Sequence, residues 1–203
     1  MQYDYKTLKN SGYGDYREKG SKFLAYAYAV ASEDEVKQHL ENLKKEHPKS
    51  RHVCYAYRLD LAGNDFRAND DGEPSGTAGK PILGQIDSFE LTKTLVAVVR
   101  YFGGKKLGAS GLIYAYKTSA AMALENAEAK VVKLKAYHQI TYKYERLNDI
   151  MRHLKHDEIK IINQHYGDTC TLDFSVSLAV NDMILDKLTK IYDISLKAID
   201  ANE

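Results

Sequence analysis

Three carboxylates, Asp70, Asp71 and Glu73, crowd into four positions of the stretch NDDGEPSGTAGKP that runs from Asn69 to Pro81. Like charges this close repel unless something answers them. Three answers are open: a hard cation with oxygen ligands, hydrogen bonds from loop amides, or a basic partner such as Arg100. The spacing is not that of an EF-hand, so the structural answers, amide caps and an internal ion pair, are preferred and no metal or cofactor is expected. Upstream, His52 and Cys54 stand two positions apart in HVCYAYRL, a run that reads as a strand, so both side chains leave on one side. A thiol–imidazole nucleophile also needs mutual hydrogen bonding and an oxyanion site, and the spacing guarantees neither. A core pair lining the glycine-rich loops is the simpler reading. HExxH, GxSxG and CxxC are absent, and His153 with His156 at i, i+3 lack a third ligand nearby in sequence. No catalytic residue is assigned. The enzymatic alternative is a hydrolase-like site using Asp70, Asp71 and Glu73 with His52 or Cys54.

Two glycine-rich loops concentrate the remaining unusual residues. In the first, Gly72, Gly76 and Gly79 alternate with polar residues, and Thr77 to Lys80 opens a helix whose free amides could cradle an anion, with Lys80 adding charge. GxxxxGK[ST] would need glycine at Pro74 and a hydroxyl at Pro81, so this is not a Walker A loop. In the second, an apolar strand ends at Phe102, Gly103 and Gly104 turn the chain, Lys105 and Lys106 project, and Gly108 with Gly111 precede a helix. That geometry suits phosphate, although GxGxxG fails in every register and no acidic residue follows on a second strand to hold a ribose. Glycines that merely allow close strand–helix packing, with solvated lysines, are the competing explanation.

The elements that must position these loops follow from periodicity and punctuation. A breaker-rich stretch with Gly12, Gly14 and Gly20 precedes KFLAYAYAVA (Lys22–Ala31), which reads as a strand. Ser32 with Glu35 forms a capping box, and Val36, Leu40 and Leu43 recur at helical spacing until Pro48. His52–Leu59 is the next strand. A helix carrying Ile82, Leu83 and Ile86 follows the first loop, LVAVVRYF (Leu95–Phe102) reads as a strand buried on both faces, and Leu112–Ala129 reads as a helix. Beyond Val131 a strand to Tyr144, a helix with Leu147, Ile150, Met151 and Leu154, strands flanking Gly167-Asp168, a helix Asp182–Tyr192 and a strand Ile194–Ile199 give the order βαββαβ. The expectation is an α+β protein of two domains, residues 1–135 and 136–203.

Composition bounds what such a chain does. Of 203 residues 44% are hydrophobic and 28% charged, ordinary for a globular protein, with 16 Tyr and no Trp. The net charge of +1 is spread over both halves without a basic tail, which argues against a dedicated nucleic-acid coat and leaves room for a local patch. Cys54 and Cys170 are far apart and fit buried thiols in a reducing compartment. The amino terminus lacks the basic and apolar regions of a signal peptide, and no apolar run suffices for a membrane span, so a cytoplasmic protein is expected.

HVCYA (His52–Ala56), DDGEPSGTAG (Asp70–Gly79) and RYFGGKKLGASGL (Arg100–Leu112) together closely resemble the YigZ/IMPACT family, and the βαββαβ half resembles the small carboxy-terminal domain of its bacterial members, itself similar to the fifth domain of elongation factor G. The resemblance implies a first domain with the β-α fold of a ribosomal small-subunit protein domain and a ferredoxin-like second domain. Eukaryotic members regulate translation by interfering with activation of a starvation-responsive kinase of an initiation factor, partly through an extra amino-terminal domain for which this chain is expected to lack room. The signature positions carried over are His52, Cys54, Asp70, Asp71, Gly72, Glu73, Pro74, Gly76, Thr77, Gly79, Arg100, Tyr101, Gly103, Gly104, Gly108 and Gly111. Arg51 stands where a small residue is expected and Tyr114 where relatives often carry arginine. With Ser75, Lys80, Lys105 and Lys106 added, these residues form the expected binding surface, for RNA or a ribosome-associated or translation-factor partner. A pure protein–protein regulator is the other alternative.

Overall fold

β1 (Asp4–Leu8), β2 (Gly12–Glu18) and β3 (Ser21–Ala29) open the chain in a computed structural model that describes residues 2–200. They are followed by α1 (Glu33–Glu46), β4 (His52–Arg58), β5 (Phe66–Asn69), α2 (Gly79–Ser88), β6 (Thr94–Tyr101), α3 (Gly108–Glu125) and β7 (Ala129–Lys133). The capping box acts at the start of α1: Glu35 N donates to Ser32 Oγ at 3.3 Å, and Glu35 Oε2 accepts from Ala31 N at 2.8 Å. Acidic Glu33, Asp34 and Glu35 and basic Lys44 and Lys45 complement its dipole.

Five strands form one antiparallel sheet in the order β2-β3-β6-β4-β5. β6 lies at its centre and is buried from Thr94 to Arg100, because successive side chains feed two cores. On one face Phe23, Ala25, Cys54, Val96 and Val98 pack with Ile82 and Ile86 of α2 and with Leu112, Ala115, Tyr116 and Ala120 of α3. On the other, Val36 of α1 joins a cluster with Tyr57 and Leu95, and Leu43 joins one with Val53, Ala97 and Val99. Each large apolar side chain so buried contributes about 1.5–3 kcal/mol.

Two expectations fail here. Gly12 and Gly14 mark no break but sit in β2, where a Cβ on Gly12 would lie 2.0 Å from Ala123 O and one on Gly14 would lie 2.9 Å from Ser119 O. Their bare backbone lets α3 lie directly on the strand. α3 likewise begins at Gly108 rather than Leu112 and ends at Glu125, short of Ala129, which belongs to β7. β7 pairs with β1 in a separate two-stranded sheet.

The chain divides into two compact units, residues 5–132 and residues 133–200 together with the segment up to Asp4. Tyr3 joins the second unit through Leu134 N, which donates to its carbonyl oxygen at 2.8 Å. There β8 (Lys135–Tyr142), α4 (Leu147–Leu154), β9 (Ile159–His165), β10 (Cys170–Ser177), α5 (Asn181–Leu188) and β11 (Ile194–Ala198) succeed one another. The sheet runs β11-β8-β10-β9, every neighbouring pair antiparallel, which is the split βαβ arrangement. Ile140, Leu172, Phe174 and Val176 meet Ile150, Leu154, Ile184 and Leu188 in a core of their own. The molecule is therefore α+β. Among the described residues no helix is long and apolar enough to cross a membrane.

Candidate functional site

The first glycine-rich loop closes on its own carboxylates. Asp70 Oδ1 accepts from Ala78 N at 3.0 Å and Gly79 N at 2.8 Å, and its Oδ2 accepts from Gly76 N at 2.8 Å. The amide cradle at the start of α2, expected to await an external anion, is thus already filled from within the loop. Burial alone would raise the Asp70 carboxyl, but the amides of Gly76, Gly79 and Ala78 and the Lys80 charge outweigh it and hold the group below its ordinary range. Asp71, with φ 42°, accepts from Val53 N through Oδ2 at 2.7 Å, and its carbonyl oxygen lies 2.7 Å from His52 Nδ1. Thr77 Oγ1 donates to Pro74 O at 2.6 Å, while Ser75 and Lys80 stand exposed outside this network.

Glu73 turns inward. The sheet register sets Phe23, Arg100 and His52 side by side across β3, β6 and β4, on the face that α3 covers. Glu73 Oε1 receives Arg100 Nη1 at 2.5 Å and the Tyr116 hydroxyl at 2.8 Å, with His52 Nε2 at 4.0 Å. Arg100 also lies 5.3 Å from the Phe23 ring centroid, and Phe23 meets Tyr116 edge-on at 5.1 Å. A buried ion pair is stable only when hydrogen bonds satisfy its remaining groups. Arg100 Nε is buried without a hydrogen-bond partner among the described residues.

Cys54 and His52 share a side of β4, as the strand spacing requires, but they serve different neighbours. Cys54 Sγ lies 2.9 Å from Asp70 O and 3.3 Å from the Tyr116 hydroxyl oxygen. Burial pushes the thiol well up. The Tyr116 hydrogen bond lowers it less than burial raises it, and the Glu73, Asp71 and Asp70 carboxylates push it further up. A protonated, buried thiol is inert as a nucleophile. Burial, then the Cys54 and Glu73 neighbours, likewise hold the Tyr116 phenol protonated as a donor.

The second loop stays open. Gly103 passes backbone against backbone over the β2–β3 turn, where a Cβ would stand 1.9 Å from Gly20 C, and its N donates to Ser21 Oγ at 3.1 Å. Gly104, Lys105 and Lys106 are exposed. Leu107 caps α3 without a side-chain hydrogen bond, so among the described residues no side chain caps the start of this 18-residue helix. That start, at Gly108 and Ala109, lines a cavity of about 360 Å³ whose walls include Arg51, His52, Glu73, Arg100, Phe102 and Lys106, with Pro74, Leu107 and Leu112 as apolar lining.

Several expected site residues are not brought together. Lys105 does not line that cavity. Tyr101 follows Arg100 in β6 and therefore faces the opposite side of the sheet, where its hydroxyl lies 2.9 Å from His47 Nδ1. Gly108 and Gly111 fall inside α3 rather than before it. Tyr114 is exposed and meets Tyr16 at 6.1 Å, away from the cavity, whereas Arg51 lies 5.6 Å from the Phe102 ring centroid and forms part of its wall. Tyr116 is the residue sequence reasoning passed over. Its signal was there: it stands between Leu112 and Ala120 on the stripe of α3 that faces the sheet, and a phenol on such a face needs a polar partner.

Residues 19–124 match the family model of the Impact N-terminal domain. The chain is 34% identical over 168 residues to IMPACT family member YvyE of Bacillus subtilis, covering 83% of this chain and 77% of that protein. It is 32% identical over 150 residues to IMPACT family member YigZ of Escherichia coli, covering 73% and 74%. A solved structure described as the crystal structure of an hypothetical protein superposes over the whole of both chains with a TM-score of 0.71 at 27% identity. The chain belongs to the IMPACT family.

Proposed function

We propose that the chain is a cytoplasmic, translation-linked regulatory protein that binds through the first unit, taking phosphate groups of RNA, or of an RNA-bearing ribosomal partner, into the cavity between the two loops. The observation that carries this reading is the charge balance of that cavity. Arg51, Arg100 and Lys106 and the uncapped start of α3 line the cavity with a single carboxylate, Glu73, which is already engaged by Arg100 and Tyr116. Phosphate is the ligand that converging amides and guanidinium groups take best, without any need to read a base. The translation link is supported by the family to which the chain belongs.

A hydrolytic site finds less support, since Asp70 and Asp71 are tied to backbone amides and the Cys54 thiol is held protonated. Affinity capture from lysate with and without nuclease tests the reading. RNA-containing particles should be retained by the wild-type chain, released by nuclease, and lost with Arg51→Ala. A stoichiometric protein partner that survives nuclease and high salt would replace RNA in this account.

A further inference from the structure

Three cavities of the first unit share walls. The one between the loops shares Arg51 and His52 with a smaller one of about 230 Å³ beside His47 and Lys44, and shares Phe102 with one of about 540 Å³ lined by Tyr13, Arg17, Lys22 and Tyr101. His47 closes the ring, since it lines both of the latter. The three cavities thus adjoin one another around the end of β3, β6 and β4, as a groove broken by a crest at Phe102.

Its charge is one-sided. Asp15 is paired with Arg17 at 2.8 Å, Asp71 accepts from Val53 N, and Glu73 is held by Arg100. Lys22, Lys44, Arg51 and Lys106 are exposed and make no ion pair among the described residues. Aromatic rings stand between the cations. Phe102 is 42% exposed on the crest that divides two of the cavities, and Tyr13 is 45% exposed in the one beyond it.

Resting on the phosphate reading above, we propose that this groove is the track of a single RNA strand, which enters at Lys106 and Arg100, crosses the crest at Phe102 and Arg51, and continues to Lys22 and Tyr13. A duplex is excluded by shape: its bases are paired and its backbone is too stiff to turn around the end of a sheet. An unpaired strand can lay bases on exposed rings while its phosphates follow the cations.

The test is fluorescence anisotropy at low salt with labelled rU4, rU12, dT12 and an rU12·rA12 duplex. Lys106→Ala should weaken rU4 and rU12 alike. Lys22→Ala/Tyr13→Ala should weaken rU12 by about tenfold or more, as loss of a stacked base and a phosphate contact would, and leave rU4 unchanged. If Tyr13→Ala lowers the melting temperature, Lys22→Gln alone should still reduce the salt slope for rU12. An unchanged rU12 affinity in these variants, with Lys106→Ala still harmful, would overturn the track and leave the cavity reading standing. No binding of either rU strand would overturn both. Duplex or dT12 bound as tightly as rU12, or equal displacement by polyglutamate, would overturn the assignment to single-stranded RNA.

Discussion

The two glycine-rich loops look alike in sequence and have opposite electrostatic fates. In Asn69–Gly79 every carboxylate has a partner inside the protein: three amides for Asp70, Val53 N for Asp71, Arg100 and Tyr116 for Glu73. In Gly103–Gly108 neither lysine has an ion-pair partner among the described residues, and the helix that follows begins without a side-chain cap. One loop has consumed its charge to fix its own shape, and the other presents charge to solvent. Density of charged and glycine residues therefore does not by itself mark a ligand surface. What decides is whether the fold supplies the counter-charge.

If that contrast holds, substitutions in the first loop should cost stability. The largest cost is expected for Glu73→Leu, which strands the Arg100 guanidinium in the core and should destabilise by about 3–5 kcal/mol in urea unfolding. The double variant Glu73→Leu/Arg100→Met should recover most of that loss. No recovery would mean that Glu73 does more than neutralise Arg100. Asp70→Ala, which removes the cap of α2 and leaves three amides without their acceptor, should cost about 2 kcal/mol. Because the Asp70 carboxyl is held below its unfolded value, its contribution is complete above that value, about pH 3.9, and is lost as pH falls through the folded one. Thermal melts from pH 7 down to 2.5 should therefore converge for wild type and Asp70→Ala at the acid end. Parallel curves throughout would show that the carboxylate's charge is not what closes the loop.

Much of this was legible beforehand, for identifiable reasons. The capping box at Ser32, the doubly buried run of β6 and the βαββαβ order each rest on local chemistry that the fold does not override. β2 was hidden because glycine signals a break locally while answering a tertiary demand, the approach of α3. The candidate site divides the same way. Arg100 as partner for the crowded carboxylates could be named from charge alone. That Asp70 and Glu73 separate, one to a helix cap and one to the core, depends on a loop path no spacing rule encodes. The placing of Arg100 and Tyr101 on opposite faces follows from strand alternation, yet the two were grouped because they are adjacent in the motif.

The smallest expected effect gives the sharpest division within the open loop. Lys105 and Lys106 are adjacent and both exposed, and from sequence alone they were equivalent phosphate ligands. Only Lys106 lines the cavity that Arg100 and the start of α3 share. A cation that contacts a strand's phosphate displaces condensed counterions, and its removal flattens the logarithmic salt dependence of binding by roughly 0.7 for single strands. Lys106→Ala should show that change with labelled rU12, and Lys105→Ala should leave the slope as it is. Both should melt within about 0.5 kcal/mol of wild type, since neither side chain is packed. Equal slopes lost from both lysines would mean that the strand runs along the loop's outer rim, and the contrast between a closed and an open loop would then extend beyond the cavity wall.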